Sequence, residues 1–202
     1  MDNSLVIDEI NKWKQIITSY EEIAVTSESD NSTTEGYIKE IIVIAFFKIY
    51  VKFEVFITDL FVHYSLGGNS SIGYSPERKL QFNTREQLES ILKGKSSFID
   101  YIEKMDNISK HIFLDNKNPF DILRDIAEYK TAMDQMKYIR NYIAHESDES
   151  KTRYMRYVLC NPQFISIQEF LLKKRGRTRY TNYSYYTDKI KEMSELLLNP
   201  PE

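Results

Sequence analysis

Hydrophobic positions along the chain recur mostly every three or four residues, which is the spacing of amphipathic helices. This pattern predicts a first helix over roughly residues 4–25 and a long second helix from Tyr37 to Leu66. The polar stretches TSESDNSTTEG, between these helices, and GGNSSIGYSP, after the second, are predicted to be loops. The chain therefore begins as long helices joined by polar connections.

Capping patterns predict the helices that follow. Thr84-x-x-Gln87 is a capping-box pattern that opens a short helix through about residue 93, and Ser97-x-x-Asp100 opens another. The Asn-Pro pair at 118–119 predicts the start of a helix that runs to about residue 145, because proline is favoured at the first helical position. Beyond it, residues 150–172 are predicted to be helical with a break at the Asn-Pro pair 161–162.

The C-terminal end has a different pattern. FLLKKRGRTRYTNYSYY combines β-branched, aromatic and Arg-Gly-Arg residues in a way that is typical of a small hairpin. After it, Thr187 is predicted to cap a last short helix through Leu198. The prediction for the whole chain is an all-α, bundle-like single domain, residues 1–202, with this small hairpin as its only β-structure.

Composition narrows the classes of protein that the chain can belong to. Only 6 glycines and 5 prolines interrupt it, which favours long helices. The apolar run Ile41 to Tyr64 contains four charged residues and is predicted to be a core helix rather than a membrane span. A single cysteine, Cys160, and an N-terminus without signal-peptide character lead us to expect a cytoplasmic protein with no membrane partner.

Arg140, Asn141 and His145 in the stretch MKYIRNYIAH are the main candidates for chemistry. On a helical wheel that includes the apolar residues from 122 onward, Arg140 lies in the middle of the apolar stripe. Asn141 and His145 lie one turn apart on an adjoining face. A buried arginine needs a carboxylate or an anionic ligand, and a histidine can move a proton near neutral pH. The three together suit phosphoryl chemistry.

Simpler interpretations of the same residues stay open. Glu54 lies on the apolar side of the long second helix and is predicted to approach and orient Arg140. That pair is either part of a catalytic site or a buried structural ion pair, since both arrangements are found in proteins. His145 alone is equally typical of a helix C-terminus, where a cation interacts favourably with the helix dipole.

The motif Arg140-Asn141-x-x-x-His145 resembles the Arg-x(4–6)-His motif of the HEPN superfamily (higher eukaryotes and prokaryotes nucleotide-binding). The approach NPFDILRDIAEYKTAMDQMKYIRNYIAHESDES and the earlier helix YVKFEVFITDLFVHYSLGG are similar to the RiboL-PSP-type branch of stand-alone bacterial HEPN proteins. The resemblance covers roughly residues 37–160 and leaves 161–202 as a basic, tyrosine-rich segment.

This resemblance implies an up-and-down helical bundle that forms a homodimer with the two motifs facing each other. It implies a metal-independent endoribonuclease without a cofactor, which leaves a 2′,3′-cyclic phosphate and acts as a toxin or in phage defence, with a possible antitoxin partner. His145 would be the general acid and base, Arg140 would stabilise charge on the phosphate, and Asn141 would hold the histidine or the phosphate. Ser147 stands where members modified by a nucleotidyltransferase partner carry tyrosine, which argues against that modification here.

Other HEPN members lack cleavage activity, so a non-catalytic dimerisation or interaction module that binds a nucleotide or a protein is the alternative. A third hypothesis is an RNA-binding accessory protein that uses the basic, tyrosine-rich segment. Residues 151–202 carry ten Lys and Arg against five Asp and Glu, in a chain of net charge −3. The predicted RNA contacts are Lys151, Arg153, Lys173, Lys174, Arg175, Arg177 and Arg179. A solvated loop whose tyrosines return to the core explains residues 173–186 equally well.

Overall fold

The computed structural model of the protein describes residues 1–26, 31–93, 101–115, 117–176 and 180–200, and within them the chain is all-α, as predicted. It is a bundle of α-helices with two isolated β-bridges and, in these ranges, no strand. The helices are α1 Ser4–Thr26, α2 Asn31–Ser65, α3 Arg85–Lys93, α4 Tyr101–Ile112, α5 Ile122–Asp125, α6 Ala127–His145, α7 Asp148–Tyr154, a π-helix Met155–Leu159, α8 Ile167–Leu172 and α9 Asn182–Leu198.

The long helix α2 supplies much of the core, as its apolar composition predicts. Buried aromatic and aliphatic side chains occupy every turn from Ile42 to Tyr64, whereas Lys48 and Lys52 remain exposed. The helix ends where Gly67 adopts a left-handed φ of 89° and the amide of Gly68 donates to the carbonyl of His63. No helix in the described ranges has the length and apolar character to cross a bilayer.

The chain forms two compact units, each built from separate stretches of sequence. The first unit comprises Met1–Ser4, Phe53–Lys130 and Glu192–Glu202, and its core includes the aromatic cluster of Phe61, Phe113 and Phe120. The second comprises Leu5–Lys52 and Thr131–Lys191. In it, Tyr186 packs against Phe46 and Phe170, with ring centroids 5.9 and 6.4 Å apart. That all 202 residues form one domain stays a prediction.

Several predicted boundaries are confirmed and others are wrong. α1 and α3 match their predicted ranges, and the amide of Gln87 donates to the hydroxyl of Thr84, as the capping pattern predicts. The loop predicted for 26–36 is wrong from residue 31 onward, because α2 already begins there. The predicted Ser97-x-x-Asp100 start lies outside the described residues. The predicted break near Asn161 and Pro162 is confirmed between the π-helix and α8.

The single helix predicted from 119 to 145 is wrong in its first part. Asn118 accepts a hydrogen bond from the amide of Phe120 and donates to Ser109, so that its side chain stabilises a turn. The short helix α5 follows, and Ile126 then takes an extended conformation before α6 begins. The predicted helix is confirmed from residue 127 to its end at residue 145.

The predicted hairpin near the C-terminus is also wrong within the part of the chain that the structure describes. One isolated bridge, Lys174 with Thr181, takes its place, and the amide of Arg175 donates to the carbonyl of Tyr180. α9 begins at residue 182, so Tyr183, Tyr185 and Tyr186 lie on a helix. Thr187 lies inside this helix, where its hydroxyl donates to the carbonyl of Tyr183, and does not cap it.

Candidate functional site

Arg140 lies at the edge of the buried stripe of α6, not in its middle. The buried residues of this helix are Ala132, Met136 and Ile139, whose mean direction is about 70° from that of Arg140 on a helical wheel. The predicted central position is wrong because Ile122 and Ile126, which helped to define the stripe, precede α6. Arg140 is consequently only partly buried.

Arg140 and Asn141 are joined by a hydrogen bond. The guanidinium Nη1 donates to the amide Oδ1 of Asn141 at 3.0 Å. This bond uses the acceptor of the amide and orients its NH2 group as the donor that Asn141 can present to an anion. The arginine and the asparagine of the motif therefore form a hydrogen-bonded pair.

The chain turns sharply directly after His145. Glu146 adopts a left-handed φ of 47°, which costs a non-glycine residue about 1 kcal/mol, and ends α6. Ser147 then caps α7: its hydroxyl accepts from the amide of Ser150, and the hydroxyl of Ser150 accepts from the amide of Ser147. Because the connection is this short, the start of α7 lies beside the end of α6.

A cavity of about 300 Å³ lies at this turn, entirely within the second compact unit. Polar side chains of the last two turns of α6 and the first two turns of α7 form its wall: Tyr138, Asn141, His145, Ser147, Glu149, Ser150 and Arg153. The predicted neighbours Asn141 and His145 thus line one cavity, and Asn141 connects it to Arg140.

The cavity contains charges of both signs. Arg153 donates from Nη2 to the Glu149 carboxylate at 2.6 Å, but their side chains are 57% and 75% exposed. An ion pair this exposed contributes little to stability, so an incoming phosphate can compete for the guanidinium at small cost. His145 is exposed at the end of the same wall. The wall therefore offers a cation, an imidazole and amide and hydroxyl donors to an anionic ligand.

A tyrosine stack fixes α7 against α6. The rings of Tyr142 and Tyr154 lie 5.4 Å apart with planes 24° apart, and the hydroxyl of Tyr154 donates to the carbonyl of Ile165. Burial raises the pKa of the Tyr154 phenol above its ordinary value. The stack holds the two walls of the cavity together.

The other predicted site residues lie elsewhere. The ammonium of Lys151 lies 4.5 Å from the ring centroid of Phe164. Lys173, Lys174 and Arg175 are exposed after α8, and Arg177 and Arg179 fall outside the described residues. Glu54 is partly buried on α2 in the first compact unit, and its predicted contact with Arg140 stays a prediction.

Four wall residues were not among the predicted site residues: Tyr138, Ser147, Glu149 and Ser150. Tyr138 precedes His145 by seven residues, which places both on one helical face and is a signal that the sequence contains. Ser147 and Ser150 have the three-residue spacing of a capping pair. Their place beside His145 depends on the left-handed turn at Glu146, which nothing in the sequence indicates.

The fold and the site define an all-α protein with a polar cavity at the turn between two consecutive helices, α6 and α7. Within the described ranges, no group of three or more His, Cys, Asp or Glu residues has an arrangement that could hold a metal ion. No family model matches the chain, and it matches neither a curated protein nor a solved structure. Membership of the HEPN superfamily therefore stays a prediction that rests on the motif.

Proposed function

We propose that the protein is a metal-independent endoribonuclease of the HEPN type that acts as a homodimer in a toxin or phage-defence role. The observation that supports this most directly is the grouping at the end of α6. Arg140 donates to Asn141, and Asn141 shares a cavity with His145. Arg153 places a guanidinium in the wall of that cavity, which Asn141 connects to Arg140. Guanidinium groups bind phosphate oxygens through charge-assisted hydrogen bonds.

In the proposed reaction, the 2′-hydroxyl oxygen of RNA bonds to the adjacent phosphorus while the bond from phosphorus to the 5′-oxygen of the next nucleotide breaks. The 2′-hydroxyl loses one proton and the departing 5′-oxygen gains one, so that the products carry a 2′,3′-cyclic phosphate and a 5′-hydroxyl. His145 moves the proton. Arg140 stabilises the negative charge that develops on the phosphate oxygens, and Asn141 orients Arg140.

The test is to incubate purified protein with a labelled RNA pool in EDTA and to determine the ends of the fragments by mass. We expect the wild type to leave 2′,3′-cyclic phosphate ends. His145→Ala should slow cleavage about 100- to 10,000-fold, the contribution of a positioned general acid or base. His111→Ala is the matched control, because His111 is an exposed histidine on α4 in the other compact unit, and its cleavage rate should equal that of the wild type.

Intact RNA after incubation with a folded dimer, purified without any inhibitory partner, would contradict the nuclease and favour a non-catalytic interaction module. Equal rates for wild type and His145→Ala would instead identify a contaminating nuclease. Sedimentation velocity tests the homodimer separately. Cleavage by a monomer would contradict the shared site and leave the reaction itself standing.

A further inference from the structure

A second tyrosine stack lies beside the motif cavity. Tyr138 of α6 and Tyr157 of the π-helix face each other with ring centroids 4.7 Å apart and planes 17° apart. Tyr157 is 44% exposed. A π-helical turn displaces the side chains that follow it from their α-helical positions, and such turns occur frequently at functional sites. The π-helix here carries a large aromatic ring that the protein only half covers.

The nearby stack of Tyr142 and Tyr154 shows what a purely structural pair looks like in this protein. Tyr154 is 0% exposed, and its hydroxyl donates to a backbone carbonyl. Tyr157 comes from the next turn of the same helical stretch, yet nearly half of its surface faces solvent. Exposing this much aromatic surface forgoes part of the stabilisation that burial supplies, which suits a ring that stacks on a ligand.

The position of this stack relative to the motif suggests which ligand it takes. Tyr138 lines the same cavity as Asn141 and His145, one and two turns further along α6. At a rise of 1.5 Å per residue, Tyr138 precedes His145 by about 10 Å along the helix axis. A phosphate at the motif and a planar group on the tyrosines can therefore belong to neighbouring parts of one strand.

A cation accompanies the exposed ring. The guanidinium of Arg156 lies over the ring of Tyr157, with its carbon 5.3 Å from the ring centroid, so an incoming base stacks on this guanidinium or takes its place on the ring. Rings and guanidinium planes that stack on unpaired bases, together with cations that contact the backbone, are the recurring features of single-strand recognition. Stacking of this kind accepts any base, because every base has a π face.

We propose that Tyr157, supported by Tyr138, forms a subsite that stacks a nucleobase of single-stranded RNA next to the phosphate bound at the motif. The inference rests on the proposed nuclease function for the identity of the substrate. Tyr157 is a positioning residue: it holds the strand so that the scissile phosphate lies at Asn141 and His145.

The test uses a short RNA with one mapped cleavage position and versions in which single nucleotides within two of that position are abasic. Tyr157→Leu should lower kcat/KM on the intact RNA about 10-fold, within the range found for base–aromatic stacks. On the RNA that lacks the stacked base, wild type and Tyr157→Leu should cleave equally. Tyr157→Phe keeps the ring and should follow the wild type on both RNAs. Tyr37→Leu removes a tyrosine that is 60% exposed on α2 and is the matched control.

A Tyr157→Leu defect of the same size on every abasic RNA would overturn the subsite while cleavage itself stands. The same holds if Tyr157→Leu cleaves the intact RNA as fast as the wild type does. Melting curves accompany each variant, and a folded Tyr157→Leu is expected because its side chain is half exposed.

A binding experiment tests the subsite independently of cleavage. His145→Ala protein is mixed with a 2′-O-methyl oligonucleotide that carries 2-aminopurine, whose fluorescence falls when it stacks on an aromatic ring. Quenching that disappears in the His145→Ala, Tyr157→Leu double variant supports the subsite, even if the wild type cleaves no RNA and the proposed function fails. Equal quenching in both variants, or no binding by either, overturns it.

Discussion

Two segments of the chain place cations beside tyrosines, and they differ in how far the tyrosine rings are buried. In the post-motif segment, residues 148–159, Arg153 lines the cavity and Tyr157 is half exposed. In the C-terminal segment, residues 173–186, Tyr185 and Tyr186 are buried. There the guanidinium carbon of Arg175 lies 3.8 Å from the ring centroid of Tyr185. The same composition therefore leaves a ring half exposed beside the cavity in one segment and buries two tyrosines in the core in the other, where Lys173, Lys174, Arg175 and Tyr180 stay exposed.

The cause of this difference is the direction in which each helix turns its rings. Tyr186, Ile190, Met193 and Leu197 recur at helical spacing along α9 and are all buried, so the tyrosine is one member of a core stripe. In the post-motif segment, Tyr154 and Val158 are buried on one side of the helix, whereas Tyr157 lies to one side of both and is half exposed. A count of basic and aromatic residues cannot separate the two cases, whereas the helical register can.

Alkaline pH should have the largest effect on the stability of the fold, because it ionises several buried tyrosines together. Burial raises the pKa of Tyr183 to about 12 and raises the pKa values of Tyr154, Tyr186 and Tyr64 as well. A raised folded-state pKa means that the stabilisation is complete below the unfolded value near 10 and is lost as pH rises toward 12. We expect one transition between these values in which phenolate absorbance and loss of helical circular dichroism coincide.

Tyr183→Phe sharpens this prediction. It removes one of the linked ionisations, so the alkaline midpoint should move to higher pH. Ionisation of all 15 tyrosines near pH 10 without loss of helix would contradict the burial on which the comparison rests.

Replacing the buried ring of Tyr186 should lower the free energy of unfolding much more than replacing the half-exposed ring of Tyr157. Tyr186 is 0% exposed, packs against Phe46 and donates to Gln135, so Tyr186→Leu should lower the free energy of unfolding by about 3 kcal/mol. Tyr157→Leu removes a half-exposed ring and should cost less than about 1 kcal/mol. Urea unfolding followed by circular dichroism measures both. Equal losses would mean that the Tyr157 ring is structural after all.

Asn182 should contribute to the free energy of unfolding, although it is a polar residue. It is buried at the start of α9, where its amide NH2 donates to the carbonyl of Phe170 and its oxygen accepts from Arg175. Asn182→Ala leaves that buried carbonyl without its partner and should cost about 2 kcal/mol in urea unfolding. Asn199→Ala, at an exposed position, is the matched control and should be neutral. A neutral Asn182→Ala would show that Arg175 and the start of α9 hold without it.

The fold was largely predictable, whereas the site was predictable only in part. Apolar periodicity predicted α1 and α2 because packing and pattern agree there, but it continued through Ile126, where the backbone is extended. The aromatic residues at 180–186 favour a strand by propensity alone, because β propensity does not distinguish a strand from a buried helical stripe. The four-residue spacing of Asn141 and His145 predicts that they share one face of a helix, and both line one cavity. Their cavity could not be predicted, since it depends on the strained turn at Glu146 and on the cap at Ser147.

The smallest effect should be on the salt dependence of RNA binding. This measurement compares one arginine from each segment directly. Arg153 lines the cavity in a solvent-exposed ion pair with Glu149, whereas Arg175 contacts the Tyr185 ring and donates to Asn182. Each phosphate contact on a single strand contributes about 0.7 to the slope of log affinity against log salt. Arg153→Gln should reduce that slope by about this amount, and Arg175→Gln should leave it unchanged. Fluorescence anisotropy with 2′-O-methyl RNA at salt concentrations from about 50 to about 200 mM measures both slopes. The opposite result, a reduced slope for Arg175→Gln alone, would move the RNA surface to the C-terminal segment and break the comparison.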